Sequence, residues 1–418
     1  MLTSLSARAR RMHNLLAKFS LPISIGLSIL FFSLGTALHF TQHASLAEFF
    51  VATITIVPVS SLSRYATQDL VIKLQRNDYE LLAGVLNGVF GNIAELCFVL
   101  TAVARRESVI AQTALTGALI SSCLMVFGTC LFFGGIQHER QYYPIIIARV
   151  NAQLLVVSLV SISIPTAFKS WSEGGESGLL TVSRGSAIVL LVEFASYIWF
   201  FYYTHTLLDE SQIPDMKPVL VVLGLLPASL STRVANGNQS LKELRAAAQE
   251  AILKNEVNER KQPYTTYANI SILICSTPAL VFASIYLLEA VHAPSEKLKL
   301  SESFVGLVAI PSILATVDHV AAVLRSQKEG IAWIIETAFG SSIRISLFVF
   351  PLAVIFGWAL GVEIGMILDG FQVIILGLAI LGVNHVIHNG FAYWLEGTIF
   401  IASFLLFAIA AWFYPNRA

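Results

Sequence analysis

Charge is what this sequence has least of. Of its 418 residues only 12% are Asp, Glu, Lys or Arg, about half the fraction found in an ordinary soluble domain. The formal net charge is zero, so the balance points to no nucleic-acid partner. No HExxH, GxSxG or paired catalytic Asp motif occurs, which leaves enzyme chemistry without an anchor. Cysteine is scarce. Cys97, Cys123, Cys130 and Cys275 all fall in apolar runs, with no CxxC spacing and no loop pair for a disulfide; all four are expected as buried packing residues. The basic N-terminal stretch, from Met1 to Lys18, lacks an adjoining cleavage signal. It reads as a cytosolic tail before a first helix, not a removed signal peptide.

Apolar length is what fills the space. The chain is 56% hydrophobic, with apolar runs at about 21–40, 46–63, 80–104, 110–136, 142–165, 185–208, 267–291, 302–324, 331–360, 365–387 and 392–413. A helix needs roughly 20 apolar residues to cross about 30 Å of hydrocarbon. Eleven transmembrane helices are therefore expected, in an all-α polytopic membrane protein. The stretch 217–229 is too short to cross and reads as an interfacial or packed segment. Residues 240–261 alternate charge and carry Ala-rich helical signals, which suits a solvent-exposed amphipathic helix. With a cytosolic N-terminus, Lys and Arg number seventeen on the cytosolic side against seven opposite. That asymmetry favours N-terminus in and C-terminus out. The tally counts Arg64 among the cytosolic loop charges. Arg149 and Arg344 fall inside expected spans, where an arginine is costly.

The two halves repeat each other. Residues 91–96 read GNIAEL, and Gly117 further along opens GALISS. Residues 314–319 read LATVDH, and Gly340 further along opens GSSIRIS. Gly117 follows Glu95 at the same spacing at which Gly340 follows Asp318. One constant offset in the numbering therefore pairs Glu95 with Asp318, Asn92 with Ala315 and Ser121 with Arg344. Spans 2–6 then correspond to spans 7–11. Five is odd, so the halves enter the membrane in opposite directions, a transporter architecture with its site where they meet. The expected organisation is a cytosolic tail (1–20), an extra first helix (21–45), a first repeat (46–208), a cytosolic linker (209–266) and a second repeat (267–418).

The chemistry gathers on the repeat. An acid in mid-membrane costs roughly 2.5–3.5 kcal/mol on insertion scales, and both Glu95 and Asp318 incur it. Facing carboxylates can share a metal ion or protons, because hard cations want oxygen ligands. Two close carboxylates also hold protons unequally, which couples proton release to metal binding. Gly91, Gly117 and Gly340 let backbones approach closely. Ser121, Ser122, Ser341 and Ser342 are candidate ligands or helix-packing residues. His319 is either a proton relay or a packing residue.

GNIAEL, GALISSCLMVFGTCLFFGGI, SRGSAIVLL (183–191), FVGLVAIP (304–311), GSSIRISLFVFPLAVIFGWALG (340–361) and WLEGTIFIASFLLFAIAAWFYP (394–415) together resemble the calcium/proton exchanger family, its vacuolar branch above all. The resemblance covers about 45–415. It implies eleven helices with inverted five-helix repeats (2–6 and 7–11), as in the cation/calcium exchanger superfamily. It also implies a transporter rather than an enzyme, with Ca²⁺ and protons as cargo, no cofactor, and a vacuolar membrane with the N-terminus cytosolic. Gly91, Asn92 and Glu95 match the family's first acidic motif. The second is usually GNxxEH; here it reads Leu314, Ala315, Asp318 and His319. The ninth-span GSxxQ has Arg344 in place of the glutamine, and the acidic helix after the second span is reduced to Gln68-Asp69. Arg344 either mimics the cation by bridging Glu95 or Asp318, or snorkels and pairs elsewhere. Three readings stay open: a Ca²⁺/H⁺ antiporter, a transport-deficient regulatory relative, and an exchanger of altered selectivity such as a monovalent cation/proton exchanger.

Overall fold

The computed structural model describes residues 2–41, 45–77, 79–136, 141–142, 145–171, 175–200 and 265–414. The expectations for 217–229 and 240–261 lie outside them. Among the described residues, nine helices are long and apolar enough to cross a membrane: Pro22–Thr41, Leu46–Arg76, Ser108–Gly135, Ala148–Trp171, Gly178–Trp199, Thr266–Glu289, Phe339–Leu360, Gly370–His388 and Trp394–Phe413. Two bent pairs, Glu80–Phe90 with Ile93–Ala104 and Glu302–Leu314 with Thr316–Leu324, bring the total to eleven. In chain order these are spans one to eleven, and the chain is an integral membrane protein. Outward faces are apolar, as at Ile188, Val189 and Val192 of the sixth span. A soluble protein does not expose contiguous rows of that kind, but a lipid-facing helix does.

The core lies between the two repeats. The fourth span is the most enclosed, with 89% of its apolar window buried, against 6% for the first. The first span packs on the second and seventh. At its end His39 Nδ1 lies 2.8 Å from Glu48 Oε1 and 3.3 Å from Glu289 Oε2. Arg105 meets the other Glu289 oxygen at 3.0 Å. A two-stranded antiparallel pair, Gln141–Tyr142 with Phe391–Ala392, links the halves.

Some expectations need correction. The second span runs to Arg76 rather than ending at 63, so Arg64 is an intramembrane residue and not a loop charge. The helix continues because its charges satisfy one another. Lys73 Nζ lies 2.7 Å from Asp69 Oδ2, and Asn269 of the seventh span donates to the same carboxylate. Asn269 is fully buried at that bond. Cys97, Cys123 and Cys130 are buried, but Cys275 is exposed. It sits on the outer flank of an apolar helix, where a thiol costs little in lipid. Arg149 is exposed at the start of the fifth span, where a long stem lets its charge reach the interface. Helical residues begin at Leu2, so the basic tail extends the first helix.

Candidate functional site

The site begins with two breaks. The third span leaves helical geometry at Asn92 (φ −126°, ψ 46°) and bends by 54°. The eighth does so at Ala315 (φ −85°, ψ 7°) and bends by 55°. These two positions are related by the same offset that relates Glu95 to Asp318. Each break starts a new helix in mid-span. Glu95 and Asp318 fall in the first turns of those helices, where exposed N–H groups and the helix dipole favour negative charge. The fourth and ninth spans carry matching wide turns, Ser122–Val126 and Ile345–Val349, again at that offset. Such π-turns widen a helix locally and cluster at functional sites.

The breaks meet these turns across the repeats. Asn92 Nδ2 donates to Ser341 Oγ at 2.7 Å, joining the third span to the ninth. Ser121 Oγ lies 3.3 Å from His319 Nε2, joining the fourth to the eighth. Cys123 Sγ lies 3.7 Å from Ser342 Oγ, and Ser122 is buried beside it. Close approach rests on missing side chains. A Cβ on Gly117 would fall on the Leu307 carbonyl and the Pro311 ring. One on Gly91 would strike the Arg344 guanidinium, and one on Gly340 would come within 3.0 Å of its Nη1.

The two acids are dressed differently. Glu95 is 2% exposed, and its Oε1 has no hydrogen-bond partner. It feels the charges of both Asp318 and Arg64. Asp318 is gripped by Arg64 of the second span, which reaches both carboxylate oxygens, one of them at 3.1 Å. Arg344, read in the sequence as either a cation mimic or a residue that pairs elsewhere, reaches the third span. Its Nε donates to Asn92 Oδ1 at 2.7 Å. The arginine on Asp318 thus comes from the second span, and Arg344 occupies the amide oxygen of Asn92, a candidate cation ligand. His319 is turned toward Ser121, and its Nδ1 is buried without a partner.

Arg64 escapes a reading of the sequence because a charge looks like the end of a span. A signal exists. Ser60, Ser61 and Ser63 precede it, and the Asp69–Lys73 pair continues helical register beyond it. Ser63 Oγ donates to Ser276 Oγ of the seventh span at 2.6 Å, which fixes the helix beside Arg64.

The profile of the family described as sodium/calcium exchanger protein matches residues 44–203 and 268–413. The chain belongs to that family. Among relatives of this exchanger is the Ca²⁺/H⁺ antiporter of Aphanothece halophytica, 26% identical and covering 93% of this chain and 95% of the relative. The vacuolar calcium ion transporter of Schizosaccharomyces pombe is 27% identical, covering 93% and 85%. The solved structure of native YfkE superposes with a TM-score of 0.71 at 21% identity, over 94% of this exchanger and 100% of YfkE. The exchanger and YfkE share one fold.

Proposed function

We propose that this protein is a membrane antiporter that exchanges Ca²⁺, or a related cation, for protons. It carries cytosolic cation into an acidic organelle such as the vacuole, with its N-terminus in the cytosol. The observation that supports this reading most is the pair of mid-span breaks, each placing a buried carboxylate at a helix start where the repeats meet. Glu95 offers the open oxygen. Loaded with a proton it is neutral; loaded with a cation it is a ligand; it does not hold both. Asp318, Asn92 and the serines at the fourth- and ninth-span turns complete the oxygen set, and His319 with Ser121 offers a proton route. Rocking of the bent spans about their breaks gives alternating access. Transport, not bond-making, is the activity.

The test is Ca²⁺ uptake into acid-loaded vesicles. Uptake is expected from the wild type and not from Glu95→Gln. No uptake from the wild type, where a relative with complete motifs succeeds, overturns the reading.

A second reading has its own observation in favour: both Asp318 and Asn92 are held by arginines. On it, the chain is a selectivity-altered exchanger or a regulatory, transport-deficient member. Calcium-dependent thermal stabilisation that disappears in Glu95→Gln separates the two, since a ligand stabilises only the state it binds.

A further inference from the structure

We propose that Arg64 is a tethered competitor of the transported cation, holding Asp318 until the cation takes its place. The proposal rests on the antiporter reading and adds a selectivity device to it. Asp318 is 1% exposed and Arg64 19%. A carboxylate that deep does not release its partner unaided, because an uncompensated buried charge is costly. Something of the same sign must replace the guanidinium, and a cation does.

With both acids ionised and both arginines present, the four groups sum to zero. A divalent ion added to that set leaves two buried positive charges in excess. If Arg64 withdraws, the excess falls to one. Withdrawal is mechanically open to it. The stem is long and the side chain is partly exposed. Gln68 lies one turn along the same helical face with an amide oxygen to offer. Asp69 is not a rival, since Lys73 and Asn269 already hold it.

The repeat supplies an internal control. The residue that the repeat offset pairs with Arg64 is Leu287, fully buried on the seventh span, which packs against the half-helix carrying Glu95. The mirrored place on the seventh span thus carries leucine, and the first-half acid keeps an open oxygen. Competition is confined to one of two equivalent carboxylates.

The experiment is a Ca²⁺ titration of thermal stability on the full-length protein in detergent, repeated with Na⁺. A competitor docked in nine molecules of ten weakens apparent affinity about tenfold. Arg64→Gln is therefore expected to bind Ca²⁺ about tenfold more tightly than wild type, and the gain is expected to vanish in Arg64→Gln/Asp318→Asn. Arg64→Lys keeps the charge but loses the fork, so a gain of about threefold is expected; it serves if Arg64→Gln does not fold. Wild-type affinity in Arg64→Gln, or in Arg64→Lys where it must stand in, overturns the competitor while leaving the antiporter reading intact, provided Glu95→Gln still abolishes stabilisation. No stabilisation by either ion in wild type and Arg64 variants alike overturns both.

Discussion

The third and eighth spans are bent to within a degree of each other, yet the acids at their breaks live in different surroundings. Glu95 keeps a bare oxygen, while Asp318 is enclosed by an arginine fork. Asn92 is matched by Ala315, Ser121 by Arg344 and Arg64 by Leu287. Backbone symmetry here tolerates chemical asymmetry, because different terms govern the two. Bends, wide turns and close helix contacts need only small residues and apolar length at fixed spacing. Charges must balance locally, and the second repeat balances its acid with a cation borrowed from the first.

The sharpest way to break that contrast is to remove each acid in turn. Asp318→Asn strands Arg64 beside a neutral amide. Breaking a buried pair on one side costs about 3–5 kcal/mol, and the partial exposure of Arg64 places the loss near the lower figure. Arg64→Leu/Asp318→Asn should regain most of it. Glu95→Gln breaks no described hydrogen bond to Oε1, so stability should hold or rise while Ca²⁺ uptake disappears. Denaturation in detergent and vesicle uptake check both. Equal destabilisation by the two substitutions would erase the asymmetry.

The glycines give a second contrast. Gly117→Ala drives a methyl into the Leu307 carbonyl and the Pro311 ring, neither of which is the free end of a flexible chain. Overpacking of that kind costs about 1–3 kcal/mol. Gly340→Ala meets only the Arg344 tip, which can give way, and alanine favours the helix by up to about 1 kcal/mol. It should be near neutral. Melting temperatures of the two variants decide the matter, and a reversed order would mean that the fourth–eighth contact yields to a methyl more readily than the ninth-span one.

Much of the fold is legible in the sequence because a bilayer demands long apolar runs and a repeat demands constant spacing. The offset read from Glu95 and Asp318 also relates the two breaks and the wide turns of the fourth and ninth spans, none of which leaves a composition signal of its own. Side-chain direction is not legible. Arg64 finds its partner 254 residues away, and only tertiary packing decides that it reaches Asp318. Cys275 resembles the other three cysteines in sequence because an apolar run does not say which flank faces lipid. Sequence spacing thus locates the acids, but not which of them is open.

The smallest predicted effect tests whether the ninth-span arginine matters at all. Arg344 holds the Asn92 oxygen, and across the repeat Ala315 offers no oxygen from its side chain. Arg344→Gln frees Asn92 and removes one positive charge; Ala315→Asn returns an amide to the second break. Neither change touches the Arg64–Asp318 pair, so the gain should be modest, about fivefold in the initial rate of Ca²⁺ uptake into acid-loaded vesicles, at the low end of typical site–site coupling. A gain in the double variant places part of the restraint inside the repeat. If it is no faster than wild type while Arg64→Gln is, the restraint lies wholly on the second span, and Arg344 serves to hold the third and ninth spans together.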